Sequence, residues 1–139
     1  MKYLIDTCVI SELIKKKPND KVINWINSIG ENSLFLCVLT IGEICKGIEK
    51  LKDSKKKNKI RTWLDNDLSK RFSNRILFID YKTAELWGKI SGISEQKGKK
   101  LPVIDSLIAS SAIINNLTLV TRNIQDFKFI DCKTLNPWE

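Results

Sequence analysis

Short apolar runs alternate in this chain with segments whose apolar residues recur at helical spacing, and this alternation limits the possible folds. The runs with strand character are Tyr3–Ile5, Leu34–Leu39, Ile76–Ile79 and Leu117–Thr121, with a short fifth within Phe129–Leu135. Apolar residues three and four positions apart occupy the intervals between them. Strands that alternate with helices predict an α/β domain with a mainly parallel sheet of four to five strands.

Length and composition are typical of one soluble domain that spans residues 1–139. No apolar run approaches the roughly 20 residues that cross a bilayer, and Asp6 interrupts the N-terminal apolar run too early for a signal peptide. We therefore expect a cytoplasmic protein with no membrane partner and with reduced cysteines. The cysteines form no CxxC pair, which favours buried structural thiols over a zinc site; they are Cys8, Cys37, Cys45 and Cys132.

The chain has no histidine and carries a net charge of +8. Without histidine, no Ser–His or Cys–His nucleophile is possible, so catalysis would depend on carboxylates, lysines, hydroxyls or a metal held by oxygen atoms. The positive charge favours a polyanionic partner, with nucleic acid first and an acidic protein second. Between Lys46 and Arg61, eight basic residues stand against two acidic ones. This segment is either a solvated surface or a set of charges that holds a phosphate backbone.

Asp6 stands where the first predicted strand ends and a helix begins. The carboxyl ends of parallel strands form the crevice in which α/β proteins bind ligands, so Asp6 would lie on that edge. The alternative is local, because Asp6 or Thr7 can cap the helix by accepting hydrogen bonds from its first N–H groups. The segment by itself favours the cap.

Glu43 and Asp105 lie near the starts of two further predicted helices. We expect Thr40 to open the first of these helices, and Thr40-x-x-Glu43 also forms a capping box, which is a local alternative. Pro102 suits the first position of the second helix, which runs to about Asn115. This second helix is apolar nearly all round and should be buried. An acid inside it, Asp105, then needs a compensating partner.

A fourth polar group follows the last long strand and contains Thr121, Arg122, Asn123 and Asp126. Taken singly, Asn123 and Asp126 are typical of turns and caps. Together with the three acids above, they would crowd like charges that only a cation readily offsets. Oxygen ligands without histidine or thiolate pairs select Mg²⁺ or Mn²⁺. A hard divalent ion in a basic protein indicates hydrolysis of phosphodiesters by metal-bound water.

These motifs resemble those of the PIN-domain nucleases, and specifically the FitB-like members of the VapC toxins of bacterial toxin–antitoxin pairs. The matching segments are YLIDTCVISEL, LTIGEICKGI, PVIDSLIASSA, LVTRNIQDF and the closing NPW, which follow the family's order over nearly the whole chain. The resemblance implies a PIN-like three-layer α/β/α sandwich and a Mg²⁺-dependent endoribonuclease. It also implies a cognate antitoxin of the VapB or FitA type, which inserts a segment into the acidic pocket and carries the contact with operator DNA.

The resemblance further implies a homodimer. Ile23, Trp25 and Ile26 form an apolar helix face that either serves the dimer or belongs to the core. By the same resemblance, the core metal ligands are Asp6, Glu43 and Asp105, with support from the hydroxyls of Thr7 and Thr121.

The chain departs from the family pattern at two positions. Cys8 stands where the family usually has Asn, and Asn123 stands where FitB-like members have a fourth acid. An amide brings an oxygen ligand but no charge, and Asp126 would compensate if its segment is helical. Asn123 also favours an alternative function, a PIN-fold module that binds RNA or a protein with weak or no catalysis. A haloacid-dehalogenase-like phosphatase would need an acid at the position of Cys8, which nearly excludes that third alternative.

Overall fold

A computed structural model describes residues 1–139 and contains one five-stranded sheet in the order β3-β2-β1-β4-β5. Every neighbouring pair of strands is parallel, which confirms the predicted parallel sheet. The strands are β1 (Tyr3–Ile5), β2 (Leu34–Cys37), β3 (Ile76–Leu77), β4 (Thr118–Val120) and β5 (Thr134–Leu135). The central strand is therefore β1, flanked by β2 and β4.

Helices connect the strands and cover the sheet. They are α1 (Thr7–Leu13), α2 (Asp20–Ser28), α3 (Val38–Glu49), α4 (Lys55–Thr62), α5 (Ser69–Arg71), α6 (Tyr81–Gln96) and α7 (Val103–Ile114). A π-helical segment, Trp63–Leu68, joins α4 to α5. Short 3-10 helices occupy Glu31–Ser33 and Ile124–Phe127. No helix is long and apolar enough to cross a membrane.

Both faces of the sheet are buried, because successive residues of a strand point to opposite sides. Ile5 and Val120 pack into a core with apolar residues of α1, α2 and α3. Leu4 and Leu119 pack into a second core with residues of α7 and the segment that follows β4. Two cores on either side of one sheet are the layers of an α/β/α sandwich, as the resemblance implied.

The start of α3 differs from the prediction. The strand β2 ends at Cys37, and the helix begins at Val38 rather than at Thr40. Thr40 is therefore inside the helix, where it is fully buried and its hydroxyl has no hydrogen-bond partner. The predicted capping box with Glu43 is wrong, since the residue that caps this helix is Cys37, in extended conformation and without a side-chain hydrogen bond.

The burial of α7 is also less complete than its sequence predicts. Its bounds are close to those expected, but Val103 is 50% exposed and Ile104 is 38% exposed. From Ser106 to Ala112 the helix is buried nearly all round, as its sequence predicts, and the exposed residues lie at its two ends. The first turn, which carries Asp105, is therefore open to solvent on one side.

Two smaller expectations about apolar residues are resolved by packing. Ile26 is 4% exposed, and Trp25 packs edge-on against Tyr3 with ring centroids 5.0 Å apart, so these two residues belong to the core, whereas Ile23 is partly exposed and is not part of that cluster. All four cysteines are free thiols, but only Cys37 is buried; the others are partly exposed, contrary to the prediction of four buried thiols.

Candidate active site

Asp6 stands at the carboxyl end of the central strand and at the start of α1. Its Oδ1 accepts a hydrogen bond from the backbone N–H of Thr7 at 2.8 Å, so the local capping interpretation is correct for one oxygen. Its Oδ2 accepts a hydrogen bond from the hydroxyl of Thr121 at 2.8 Å, from the end of β4. The carboxylate is only 7% exposed. Asp6 is thus held between two neighbouring strand ends, at the edge where parallel sheets bind ligands.

Glu43 reaches the same edge from α3. Its Oε1 accepts a hydrogen bond from the hydroxyl of Thr7 at 2.6 Å. The residue next to Asp6 therefore connects the first acid to the second, across 36 positions of sequence. Thr7 and Thr121 both donate hydrogen bonds to carboxylates, and their support of a metal site, which the resemblance implied, stays a prediction.

Asp105 lies in the first turn of α7 and has an unusual ionisation. Burial, followed by the negative charges of Asp6, Glu43 and Asp126, raises the pKa of its carboxyl to about 6. No hydrogen-bond donor acts to lower the pKa of this carboxyl. The four acids come from the end of β1, the second turn of α3, the first turn of α7 and the 3-10 helix that follows β4. They lie near enough to one another for each to repel the charge on Asp105.

Asn123 and Asp126 are the two candidates for a fourth metal ligand, and they differ in structure and charge. Asp126 lies within the 3-10 helix Ile124–Phe127, which is the helical setting that would let it compensate for the missing acid. Asn123 precedes this helix, and its side chain makes no capping hydrogen bond to it. The side chains of both residues are exposed. The negative charge of Asp126 raises the pKa of Asp105, whereas Asn123 contributes no charge to the group.

Cys8 lines the same corner from α1. Its thiol lies 3.7 Å from Oδ2 of Asp6 and 3.6 Å from the hydroxyl of Thr121, and it accepts a hydrogen bond from the backbone N–H of Arg122 at 3.4 Å. Burial, reinforced by the charge of Asp6, raises the pKa of this thiol. It is therefore a neutral neighbour of the acid rather than a thiolate ligand.

The electrostatics of the group fit a hard cation. Only neutral groups donate hydrogen bonds to Asp6 and Glu43, and no lysine or arginine forms an ion pair with any of the four acids. No three acidic or thiol side chains stand close enough together to surround an ion directly. Magnesium commonly takes one or two carboxylates and keeps several waters, so a hydrated ion suits this donor set.

A groove beside Glu43 has no counterpart in the predictions from sequence. Its volume is about 590 Å³, and its lining residues are Val38, Leu39, Gly42, Glu43, Lys46, Gly47, Lys50 and Ile104. The sequence did contain one sign of this groove, because two glycines and two lysines recur along one side of α3. The exposure of Ile104 could not be predicted from the sequence, because its apolar neighbours indicated a buried helix.

Known proteins resemble this chain in sequence and in fold over nearly its full length. Residues 3–131 match the PIN domain. The chain is 33% identical over 135 residues to Toxin FitB of Neisseria gonorrhoeae (strain ATCC 700825 / FA 1090), with 97% of each chain covered. It is 34% identical over 141 residues to Ribonuclease VapC2 of Rickettsia felis (strain ATCC VR-1525 / URRWXCal2), with 100% of this chain and 99% of that protein covered.

A solved structure of FitAB bound to an IR36 DNA fragment agrees with the fold. It superposes with a TM-score of 0.91 at 31% identity, and the match covers 99% of this chain and 96% of that chain. The matches in sequence and in fold therefore both cover nearly the whole chain. The chain belongs to the PIN-domain family.

Proposed function

We propose that this protein is a Mg²⁺-dependent endoribonuclease, with Mn²⁺ as an alternative ion, and that it is the toxin of a toxin–antitoxin pair in the cytoplasm. The observation that carries the proposal is the convergence of Asp6, Glu43 and Asp105 without any cationic side chain. Such a group is unfavourable without a cation: burial first, and then the charges of the neighbouring acids, raise the pKa of Asp105.

Asp6, Glu43 and Asp105 would hold the ion, and Asp126 or the amide oxygen of Asn123 would complete its surroundings. When bound, the ion would activate a water molecule and stabilise charge on the phosphodiester. Among the residues of the chain itself, the hydroxyls of Thr7 and Thr121 orient two of the carboxylates, Glu43 and Asp6. Asp105, with a pKa of about 6, would be the acid that gains most from a nearby positive charge.

The names of the relatives support the substrate and the partner. One relative is called a ribonuclease and another a toxin, and the matched FitAB structure includes DNA. We propose that an antitoxin of the VapB or FitA type covers the acidic pocket and that operator DNA is contacted only through it. We also propose that the chain forms a homodimer.

An RNA cleavage assay tests the activity. The wild-type protein should cut RNA in Mg²⁺ and not in EDTA, and Asp6→Asn or Asp105→Asn should reduce the rate by at least about 100-fold, as expected for loss of an essential catalytic group. Asp65→Asn is the matched control, because Asp65 is exposed and forms no ion pair. Cleavage that survives in both site variants would contradict the proposal.

A second candidate is a PIN-fold module that binds RNA or a protein with weak or no catalysis. Two observations favour it: Asn123 replaces an acid, and no three acids approach closely enough to hold an ion without water ligands. Such a module would bind RNA without cleaving it at any concentration of Mg²⁺ or Mn²⁺.

A further inference from the structure

The groove beside Glu43 follows one face of α3. Val38, Gly42, Lys46 and Lys50 are spaced four residues apart along it, and Ile104 of α7 contributes to the opposite wall. Positions four apart in a helix lie one above the other on the same face. The groove therefore leads from the acidic site along the helix towards its C-terminal end.

The two lysines of the groove carry unpaired charge. Lys46 and Lys50 are exposed, and neither forms an ion pair with a carboxylate. The nearby cations Lys57 and Arg61, in contrast, both pair with Glu49. Lys46 and Lys50 therefore bring free positive charge into the groove.

The floor of the groove is open because two of its residues are glycines. A Cβ atom built on Gly42 or Gly47 would meet no other atom within 4 Å. A flexible polymer can therefore lie close to the helix at these positions. The apolar side chains of Val38, Leu39 and Ile104 provide surface for the flat face of a base or a ribose.

We propose that this groove binds the single-stranded part of the RNA substrate next to the scissile bond, and that Lys46 and Lys50 each contact a backbone phosphate. The inference rests on the proposed endoribonuclease function and names the residues that would position its substrate. Free lysines one helical turn apart, about 6 Å along the axis, suit a chain of regularly spaced anions. The presence of Glu43 in the same groove connects the bound strand to the acids.

The salt dependence of RNA binding tests the lysines. A short fluorescein-labelled single-stranded RNA of mixed sequence would be titrated in EDTA, so that no cleavage occurs, at several salt concentrations. Lys46→Gln combined with Lys50→Gln should weaken binding about tenfold and reduce the slope of log K against log salt by about 1.4, since each phosphate contact in a single strand contributes about 0.7. The matched control, Lys89→Gln on α6 with Lys97→Gln directly after it, removes the same charge outside the groove and should change both quantities less.

An obstruction test keeps the charge constant. Gly47→Leu would place a side chain in the groove, while the space around its Cβ lets the fold accept it. Gly88→Leu on α6 is the control, since a Cβ there also meets no atom within 4 Å. We expect Gly47→Leu to weaken RNA binding and Gly88→Leu to leave it unchanged, with both variants retaining the wild-type melting temperature within a few degrees.

The outcomes separate this inference from the function on which it rests. RNA binding that is equally affected by the groove pair and the α6 pair would overturn the inference, and would leave a protein chain as the occupant of the groove. Cleavage by the wild type together with unaltered binding by both groove variants would overturn the inference alone. Groove-dependent RNA binding without cleavage in Mg²⁺ would overturn the proposed function and support the inference.

Discussion

Thr40 and Thr121 are both fully buried, yet their hydroxyls are in opposite situations. The hydroxyl of Thr121 donates to Asp6 and accepts a hydrogen bond from the backbone N–H of Asn123. The hydroxyl of Thr40 has no partner. A satisfied hydroxyl contributes to stability, whereas a buried hydroxyl without a partner costs free energy.

The same isosteric substitution should therefore have opposite effects at the two sites. We expect Thr40→Val to increase the free energy of unfolding by about 1 kcal/mol, and Thr121→Val to decrease it by about 1–3 kcal/mol because Asp6 loses a donor. Urea denaturation of the two variants measures both values. Destabilisation of similar size at both positions would contradict this assignment of the hydroxyls.

The raised pKa of Asp105 makes stability depend on pH in the absence of metal. The folded protein holds a proton on this carboxyl up to about pH 6, whereas the usual pKa of 3.8 applies when unfolded. Its contribution to stability is therefore complete below about pH 4 and is lost as pH rises through 6. Asp105→Asn should gain stability relative to wild type across this interval, by at most about 3 kcal/mol.

Urea denaturation in EDTA at a series of pH values measures this gain. The difference between the variant and the wild type, rather than either value alone, isolates the titration of one group. A difference that stays constant from acid to neutral pH would mean that Asp105 ionises normally.

The sequence identified Asp6, Glu43 and Asp105 because each follows a recognisable strand or begins a recognisable helix. It did not reveal the ionisation of Asp105, since the repelling charges come from three distant segments. Nor did it distinguish Asn123 from Asp126. That distinction depends on where the 3-10 helix places each side chain, and no periodic pattern encodes it.

Glu12 of α1 contacts the start of α2, and no sequence pattern predicted this contact. It is 4% exposed, and its two oxygens accept hydrogen bonds from the Lys15 ammonium and from the backbone N–H of Asn19, each at 2.9 Å. These two donors lower the pKa of its carboxyl, with the Lys15 hydrogen bond as the larger cause. Asn19 is in turn the cap of α2, so the carboxylate fixes where the second helix begins.

Glu12→Gln should reduce the free energy of unfolding by about 1–3 kcal/mol at neutral pH, because hydrogen bonds to a charged group are lost. A lowered pKa contributes stability above the usual value of 4.5 and loses it as pH falls through the folded value. The difference between Glu12→Gln and wild type should therefore shrink in acid. Lys15→Gln, at an exposed position, should have a smaller effect; equal effects would show that the α2 contact is unimportant.

The boundaries of elements were predictable to within a few residues, and the errors have physical causes. The apolar run Leu34–Leu39 continues across the strand end because the first turn of α3 is also apolar. The strand β3 is only two residues long, so half of the run Ile76–Ile79 lies beyond the sheet. An apolar run indicates that residues are buried, and residues stay buried where the backbone changes from strand to helix. The run therefore does not show where the strand ends.

The order of the strands is what assembles the site, and the sequence did not predict it. With β1 between β2 and β4, the end of the first strand is flanked by the helix that carries Glu43 and by the end of the strand that carries Thr121. The pattern of strands and helices indicated a parallel sheet but not which strands are neighbours. That order is known only from the structure, and the hydrogen bonds around Asp6 depend on it.

The net charge of +8 and the negative site are opposite features of the same molecule. Basic residues on the surface attract a polyanion, while the acids at the strand ends would repel its phosphates. A divalent cation between them removes this conflict. The central claim is therefore that Asp6, Glu43 and Asp105 bind such an ion together.

Calorimetric titration of Mg²⁺ into the protein at neutral pH, without RNA, measures this claim most directly. We expect saturable binding by the wild type and by Asp65→Asn, and loss of that binding in Asp6→Asn and in Asp105→Asn. The absence of binding by the wild type, or equal binding by the wild type and both site variants, would contradict the assignment of these acids to a metal centre.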